Sequence, residues 1–144
     1  MKGRLLVSVQ FGCLLALAVL PSASTASSWR TITAIALIIA AACVLVVAAV
    51  HLRRAITVFP EPRSDAPFVT HGIYRFVRHP MYTAVLMFAL GLTLLRWNMW
   101  AMALLAILAL DLQIKYRYED RLLAAKWPSA TAYQQRVGAL IPRL

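Results

Sequence analysis

The chain has 144 residues, 62% of them hydrophobic and 14% charged, and a formal net charge of +10. Its mean hydropathy is +0.73. That composition excludes an ordinary soluble domain, in which about a quarter of residues are charged, and it excludes disorder, because so apolar a chain does not lack surface to bury. The excess of 15 Lys and Arg over 5 Asp and Glu fits either nucleic acid or a membrane surface, and the position of those charges relative to the apolar runs separates the two.

In chain order, four apolar stretches stand out: Leu5 to Leu20, Ile32 to Leu52, Met81 to Leu95 and Met99 to Leu112. They predict transmembrane runs near residues 5–21, 32–52, 81–95 and 98–114 of a single all-α, polytopic membrane domain covering 1–144. The second run is long enough to cross a hydrocarbon core. The last two are separated only by Arg96, Trp97 and Asn98, which predicts a tight helical hairpin. Trp97 and Trp100 belong at its tip and Tyr116 and Tyr118 at its base, as aromatic belts. Lys2 and Arg4, the five arginines between 53 and 80, and the basic residues from Lys115 onward then share one side, leaving Arg30 and Arg96 on the other. The positive-inside rule makes that side cytoplasmic, both termini included, and the membrane a bacterial-type inner membrane. The charge therefore marks topology rather than nucleic-acid binding. The first run also has the layout of a secretory signal, with Pro21 to Ala26 as a cleavage zone. Cys13 and Cys43 read as small core residues, and His51 and His71 lack a ligand cluster, so no metal site is assigned.

Two polar segments interrupt this pattern. Three prolines between 60 and 67 predict a rigid, extended connection. Beyond it comes Gly72-Ile73-Tyr74-Arg75-Phe76-Val77-Arg78-His79-Pro80-Met81-Tyr82. Pro80 suits the first position of a helix, which puts Arg78, His79 and Tyr82 at an N-terminus favourable to anions. The second segment runs from Lys115 into a cytoplasmic helical tail and holds the adjacent acids Glu119 and Asp120. With no Gly or Pro before Pro128 to stop the fourth helix, Glu119 falls about one turn beyond the bilayer edge.

The Arg78-His79-Pro80-x-Tyr82 motif, followed by Glu119-Asp120-x-Leu122-Leu123, Tyr133, Val137 and Ile141-Pro142, resembles the isoprenylcysteine carboxyl methyltransferase family, which looks related to the membrane phospholipid methyltransferases. The likeness covers roughly residues 53 to 142. This chain departs from the family pattern with Ala84 where a glycine is usual, Asp120 where a second glutamate is usual, and Trp127-Pro128 and Tyr133, spaced one residue short, where the tail usually reads Phe-Gly followed by two tyrosines. The resemblance implies an integral membrane methyltransferase that uses S-adenosylmethionine, held between about 68–82 and 115–142. It implies cofactor-binding roles for Thr70, His71, Gly72, Tyr74, His79, Tyr82, Glu119 and Asp120, and roles in catalysis for Arg78 and Arg117 as carboxylate partners. Tyr74 and Tyr82 would offer ring faces to the sulfonium. The acceptor it implies is apolar, lipid-like, or a thiol or carboxylate, reaching the site from the membrane lipids.

The residues leave other readings open. Arg75, Arg78 and Arg117 also suit plain interfacial arginines, and Glu119 suits a helical pair with Lys115. Asp111, an acid inside an apolar run, fits an ion pair with Lys115. A membrane reductase of the sterol-reductase type, or a non-catalytic scaffold binding anionic lipid headgroups, are the competing functions. The acceptor's identity and the oligomeric state are not legible in the sequence.

Overall fold

The computed structural model describes residues 2–22, 27–52 and 68–143. The expected extended connection through Pro60, Pro62 and Pro67, Arg53, Arg54 and Arg63 within it, and most of the expected cleavage zone lie outside the described residues. Among the described residues the fold is all-helical: α1 (Lys2–Val19), α2 (Ser28–Leu52), a short 3-10 turn (Gly72–Arg75), α3 (Pro80–Arg96), α4 (Met99–Lys126) and α5 (Ala130–Arg136). Two of these, α2 and α4, are long and apolar enough to cross a membrane, whereas α1 and α3 are shorter apolar helices. At 17 residues, α3 is roughly 26 Å long, just short of a hydrocarbon core of about 30 Å.

Each buried stripe follows from helical periodicity. On α1, Gln10, Cys13 and Leu17 are buried, spaced three and four residues apart so that they share one face. On α4 that face is Leu108, Leu112 and Lys115, beside Asp111. Cys13 and Leu17 join Ala89, Ala101, Leu108 and Leu112 in the main core. The outward faces of α2 and α4 are apolar: Ile32, Ile35, Ile39, Val46, Met99, Trp100 and Leu110 are all exposed. A surface of that kind is costly in water and neutral in lipid.

Helices α2 and α3 meet through small residues. Ala34, Ala41 and Ala48 recur every seven positions on the buried side of α2, and Ala84 and Gly91 do so on α3. A Cβ at Gly91 would lie 2.8 Å from Ile38 Cγ1 and 3.0 Å from the Ala34 carbonyl oxygen. Such close backbone approach is how apolar helices pack where lipid supplies no hydrophobic drive between them. Gly91→Leu should therefore cost about 1–3 kcal/mol by overpacking. A thermal unfolding midpoint equal to that of the parent protein would contradict this close packing.

The hairpin between α3 and α4 is as tight as its sequence predicts. Trp97 closes α3 in a left-handed conformation (φ 43°), and the Asn98 side chain accepts a hydrogen bond from the Ala101 backbone N–H (2.9 Å), capping α4. Arg96 donates from Nε to the Leu17 carbonyl (3.2 Å) and from Nη2 to the Ala18 carbonyl. Those are terminal carbonyls that α1 itself cannot satisfy. Asn98 Nδ2 donates to the Pro21 carbonyl (3.0 Å), Trp29 packs edge-on against Trp97, and the Arg30 guanidinium lies over the Trp97 ring. The hairpin tip, the end of α1 and the start of α2 are thus tied together, which leaves the polar residues of the motif at the opposite end.

Candidate functional site

At that opposite end, His51 closes α2, the turn before α3 approaches it, and the last turns of α4 run beyond its apolar stretch. The helix continues to Lys126 before Trp127 turns extended, as the absence of Gly or Pro predicts. Pro80 occupies the first turn of α3, with His79 at the preceding cap position. The His79 side chain caps nothing, and its ring points to α4 instead. There Nε2 lies 2.9 Å from Asp120 Oδ1, and Nδ1 lies 3.6 Å from Glu119 Oε2. The Tyr82 hydroxyl donates to Glu119 Oε2 (2.7 Å), and Arg78 Nη2 donates to Asp120 Oδ2 (2.8 Å). Two motifs about 40 residues apart in sequence are thereby joined through five side chains.

The two acids have different tasks. Both Asp120 oxygens are used within the protein, by His79 and Arg78. Burial alone disfavours the Asp120 charge, but hydrogen bonds from His79 and Arg78 outweigh that and hold its carboxyl below the usual carboxylate range. Glu119 accepts from Tyr82 with Oε2, and its Oε1 takes no hydrogen bond among the described residues. Its side chain keeps 25% exposure. Burial pushes the Glu119 carboxyl up, and His79 and the Tyr82 hydroxyl act in the opposite sense. Glu119 is therefore the acid with an acceptor to offer a ligand.

Arg78 is bound on several sides by protein. Besides Asp120, its Nη1 donates to the Gln134 carbonyl (2.8 Å) and to the Val137 carbonyl. The backbone beside it bonds the same segment: Arg78 N–H to Gly138 O and His79 N–H to Ala139 O, both 2.9 Å, with a parallel bridge between Val77 and Gly138. Thr83 Oγ1 donates to the Leu140 carbonyl (2.6 Å) and Gln134 Nε2 to the Asp120 carbonyl (2.8 Å). The Tyr133 hydroxyl donates to the Tyr74 carbonyl, and burial, with Arg78 opposing, pushes that hydroxyl up to about 12. Arg78 thus clasps the C-terminal segment to the start of α3, and its fork geometry suits the three acceptors.

The remaining sequence candidates are placed differently. Tyr74 is buried beneath the tail, and burial together with the Glu119 charge drives its hydroxyl upward. Gly72 adopts φ +63°, and a Cβ there would fall 1.9 Å from the His51 ring. This glycine serves a close approach between the turn and α2. His71 is exposed and its ring meets that of His51 edge-on, and Thr70 is exposed. Arg117 sits on the exposed side of α4 and takes part in none of the cluster's hydrogen bonds. Tyr82 does not present a bare ring: His79 stacks parallel to it at 5.4 Å and Lys115 Nζ lies 5.0 Å from its centroid. Sequence reasoning did not single out Gln134 or Gly138, and it read Lys115 as a helical partner for Glu119 or Asp111. Gly138 carried the one usable signal, a glycine ahead of Ile141-Pro142, and a Cβ there would meet the Ile141 carbonyl oxygen at 2.0 Å.

The profile of the phospholipid methyltransferase family matches residues 29–130, and the chain belongs to that family. The cobalt-zinc-cadmium resistance protein CzcN of Cupriavidus metallidurans is 37% identical over 86 residues, covering 57% of this chain and 38% of that protein. The nickel-cobalt-cadmium resistance protein NccN of Alcaligenes xylosoxydans xylosoxydans is 35% identical over 86 residues, covering 57% of this chain and 39% of that protein. The chain thus spans about two fifths of the length of these curated relatives.

Proposed function

We propose that this member of the phospholipid methyltransferase family is an integral membrane enzyme that transfers a methyl group from S-adenosylmethionine to an apolar, lipid-like, thiol or carboxylate acceptor. The observation that carries this reading is Glu119: a three-quarters-covered carboxylate with one oxygen fixed by Tyr82 and the other uncommitted among the described residues. That donor set fits a cofactor presenting a ribose diol and an ammonium group, both hydrogen-bond donors to a carboxylate. Family membership favours methyl transfer over the reductase and scaffold readings.

Bound there, S-adenosylmethionine would supply an electrophilic methyl group on a sulfonium. The chain's own residues bind and orient. Glu119 Oε1 accepts from the cofactor, and Tyr82 and His79 hold that carboxylate in one rotamer. Arg78 and Asp120 keep the tail docked beside it, which excludes water from one flank. In-line displacement needs mainly alignment and dryness, so a carboxylate or thiolate acceptor requires no added base. The exposed apolar faces of α2 and α4 suit an acceptor that arrives within the bilayer.

We further place α1 to α4 across a bacterial-type inner membrane with both termini cytoplasmic, on the distribution of Lys and Arg. A reporter fused after residue 144 should be active only as a cytoplasmic fusion, and export of the reporter would reverse this topology. For the activity, protein purified in detergent should bind S-adenosylhomocysteine saturably and move a labelled methyl group into a membrane extract. An absence of binding across pH 6 to 9 would end the methyltransferase reading for this site.

A further inference from the structure

Lys115 is the most buried charged side chain described, 1% exposed, and nothing in the site as built so far uses it. It lies one turn before Glu119 on α4, so the two share a face. Its ammonium donates to Gln10 Oε1 of α1 at 2.7 Å, and Gln10 is itself 8% exposed. The same ammonium stands 5.0 Å from the centroid of the Tyr82 ring, whose hydroxyl donates to Glu119. A cation sealed inside an apolar bundle is expensive unless its surroundings return the energy. The arrangement here returns it through an amide oxygen, an aromatic ring and the fields of two carboxylates, Asp111 one turn earlier on α4 and Glu119 one turn later.

We propose that Lys115 is a positioning residue of this site, holding Tyr82 and Glu119 in the geometry that receives the cofactor, with Gln10 of α1 setting where its ammonium sits. The inference rests on the methyltransferase reading for its consequence, not for its geometry. A positive charge over the phenol ring draws the ring toward it and polarises the O–H toward the carboxylate. It also favours the ionised form of Glu119 against the effect of burial. The groups facing Glu119 are His79 and Tyr82 from α3, Tyr74 from the 3-10 turn, and Asp120 and Lys115 from α4. Of these Lys115 is the cation that reaches back to α1, so it links the first helix to the site.

The test compares Lys115→Met, Lys115→Arg and Gln10→Ala in the full chain in detergent. Methionine matches the stem of lysine without its charge, but it leaves buried Gln10 Oε1 and the buried Asp111 carboxylate without their cation, and removing one side of a buried charged contact is destabilising. Lys115→Met should therefore melt below the parent temperature. In the ligand-free protein, the Glu119 carboxyl, followed by carbon-13 NMR of labelled glutamate, should protonate about one pH unit higher, because a lost cation disfavours the carboxylate. S-adenosylhomocysteine affinity should fall by up to about tenfold, the full one-unit equivalent being reached at pH values below the Glu119 titration. Lys115→Arg, which keeps the charge, should titrate like the parent. Gln10→Ala, which removes one partner of the ammonium and keeps its charge, should shift the same way by less, and it decides the matter if Lys115→Met fails to fold. An unmoved Glu119 titration in Lys115→Met or Gln10→Ala overturns the proposal. The titration needs no ligand, so failure of the parent protein to bind S-adenosylhomocysteine would instead count against the methyltransferase reading alone.

Discussion

Glu119→Gln is expected to weaken S-adenosylhomocysteine binding by about 10- to 100-fold, while leaving the unfolding temperature within a few degrees of the parent. Hydrogen bonds to a charged group are worth about 1.5–3 kcal/mol, and each 1.4 kcal/mol is tenfold in affinity. Glutamine keeps the shape of the side chain and still accepts from the Tyr82 hydroxyl, so the protein side of the pair survives. What disappears is the negative charge at Oε1, the oxygen that makes no hydrogen bond among the described residues. Calorimetric titration of the two proteins in the same detergent decides this. Equal affinities would mean that the exposed edge of Glu119 faces solvent rather than ligand, and the cofactor would have to be sought elsewhere. Burial raises the Glu119 carboxyl, so parent binding should weaken as pH falls and the carboxylate is protonated. The glutamine variant should lose that pH dependence.

The second large effect lies at Arg78. Arg78→Ala removes the partner of Asp120 Oδ2 and the donor to the Gln134 and Val137 carbonyls in one step. Breaking a buried ion pair from one side costs about 3–5 kcal/mol, because the remaining charge stays buried without compensation. The Arg78 and Asp120 side chains are only 12% and 14% exposed, so solvent offers little relief. Residues 133–140 should therefore detach from the start of α3. Limited proteolysis would read this as new cleavage after Arg136, and cofactor binding should fall because His79 and Glu119 lose their support. Arg78→Lys should recover part of the stability but not all, since one ammonium cannot span three acceptors in a fork. Asp120 titrates lower in the folded chain than unfolded. The contribution of this clasp is hence complete above the unfolded value of about 4 and fades only as pH falls below it. A tail that stays protease-resistant in Arg78→Ala would show that the backbone bonds at Gly138 and Ala139 suffice to hold it.

The assignment of Arg78 to a carboxylate on cofactor or substrate gives way, on this geometry, to a carboxylate within the chain. Asp120, read from its family counterpart as half of an acidic pair for the ligand, is likewise spent on His79 and Arg78. Both residues were identifiable from sequence as belonging to the site, because a motif with a histidine before a helix-starting proline is unusual among apolar runs. Their partners were not identifiable. Gln134 and Val137 contribute carbonyl oxygens, which every residue possesses, so no residue type betrays them. In the sequence Lys115 reads as a basic residue of the cytoplasmic face and a helical partner for Glu119 or Asp111, and its burial against Gln10 and Tyr82 depends on how α1 packs.

The apolar helices, the Pro80 start of α3 and the Trp97–Asn98 hairpin follow from the sequence, since hydrophobic period, proline position and capping chemistry act within a few residues of one another, whereas α1 and α2 begin at Lys2 and Ser28, ahead of the apolar runs that mark them. The family motif likewise pointed to both halves of the candidate site. Which carboxylate faces a ligand and which braces the protein was decided only by the tertiary structure. Glu119 and Asp120 are neighbours in sequence but project from α4 about 100° apart. That angle turns Asp120 toward Arg78 and the tail and leaves Glu119 beside Tyr82 with one oxygen uncommitted among the described residues.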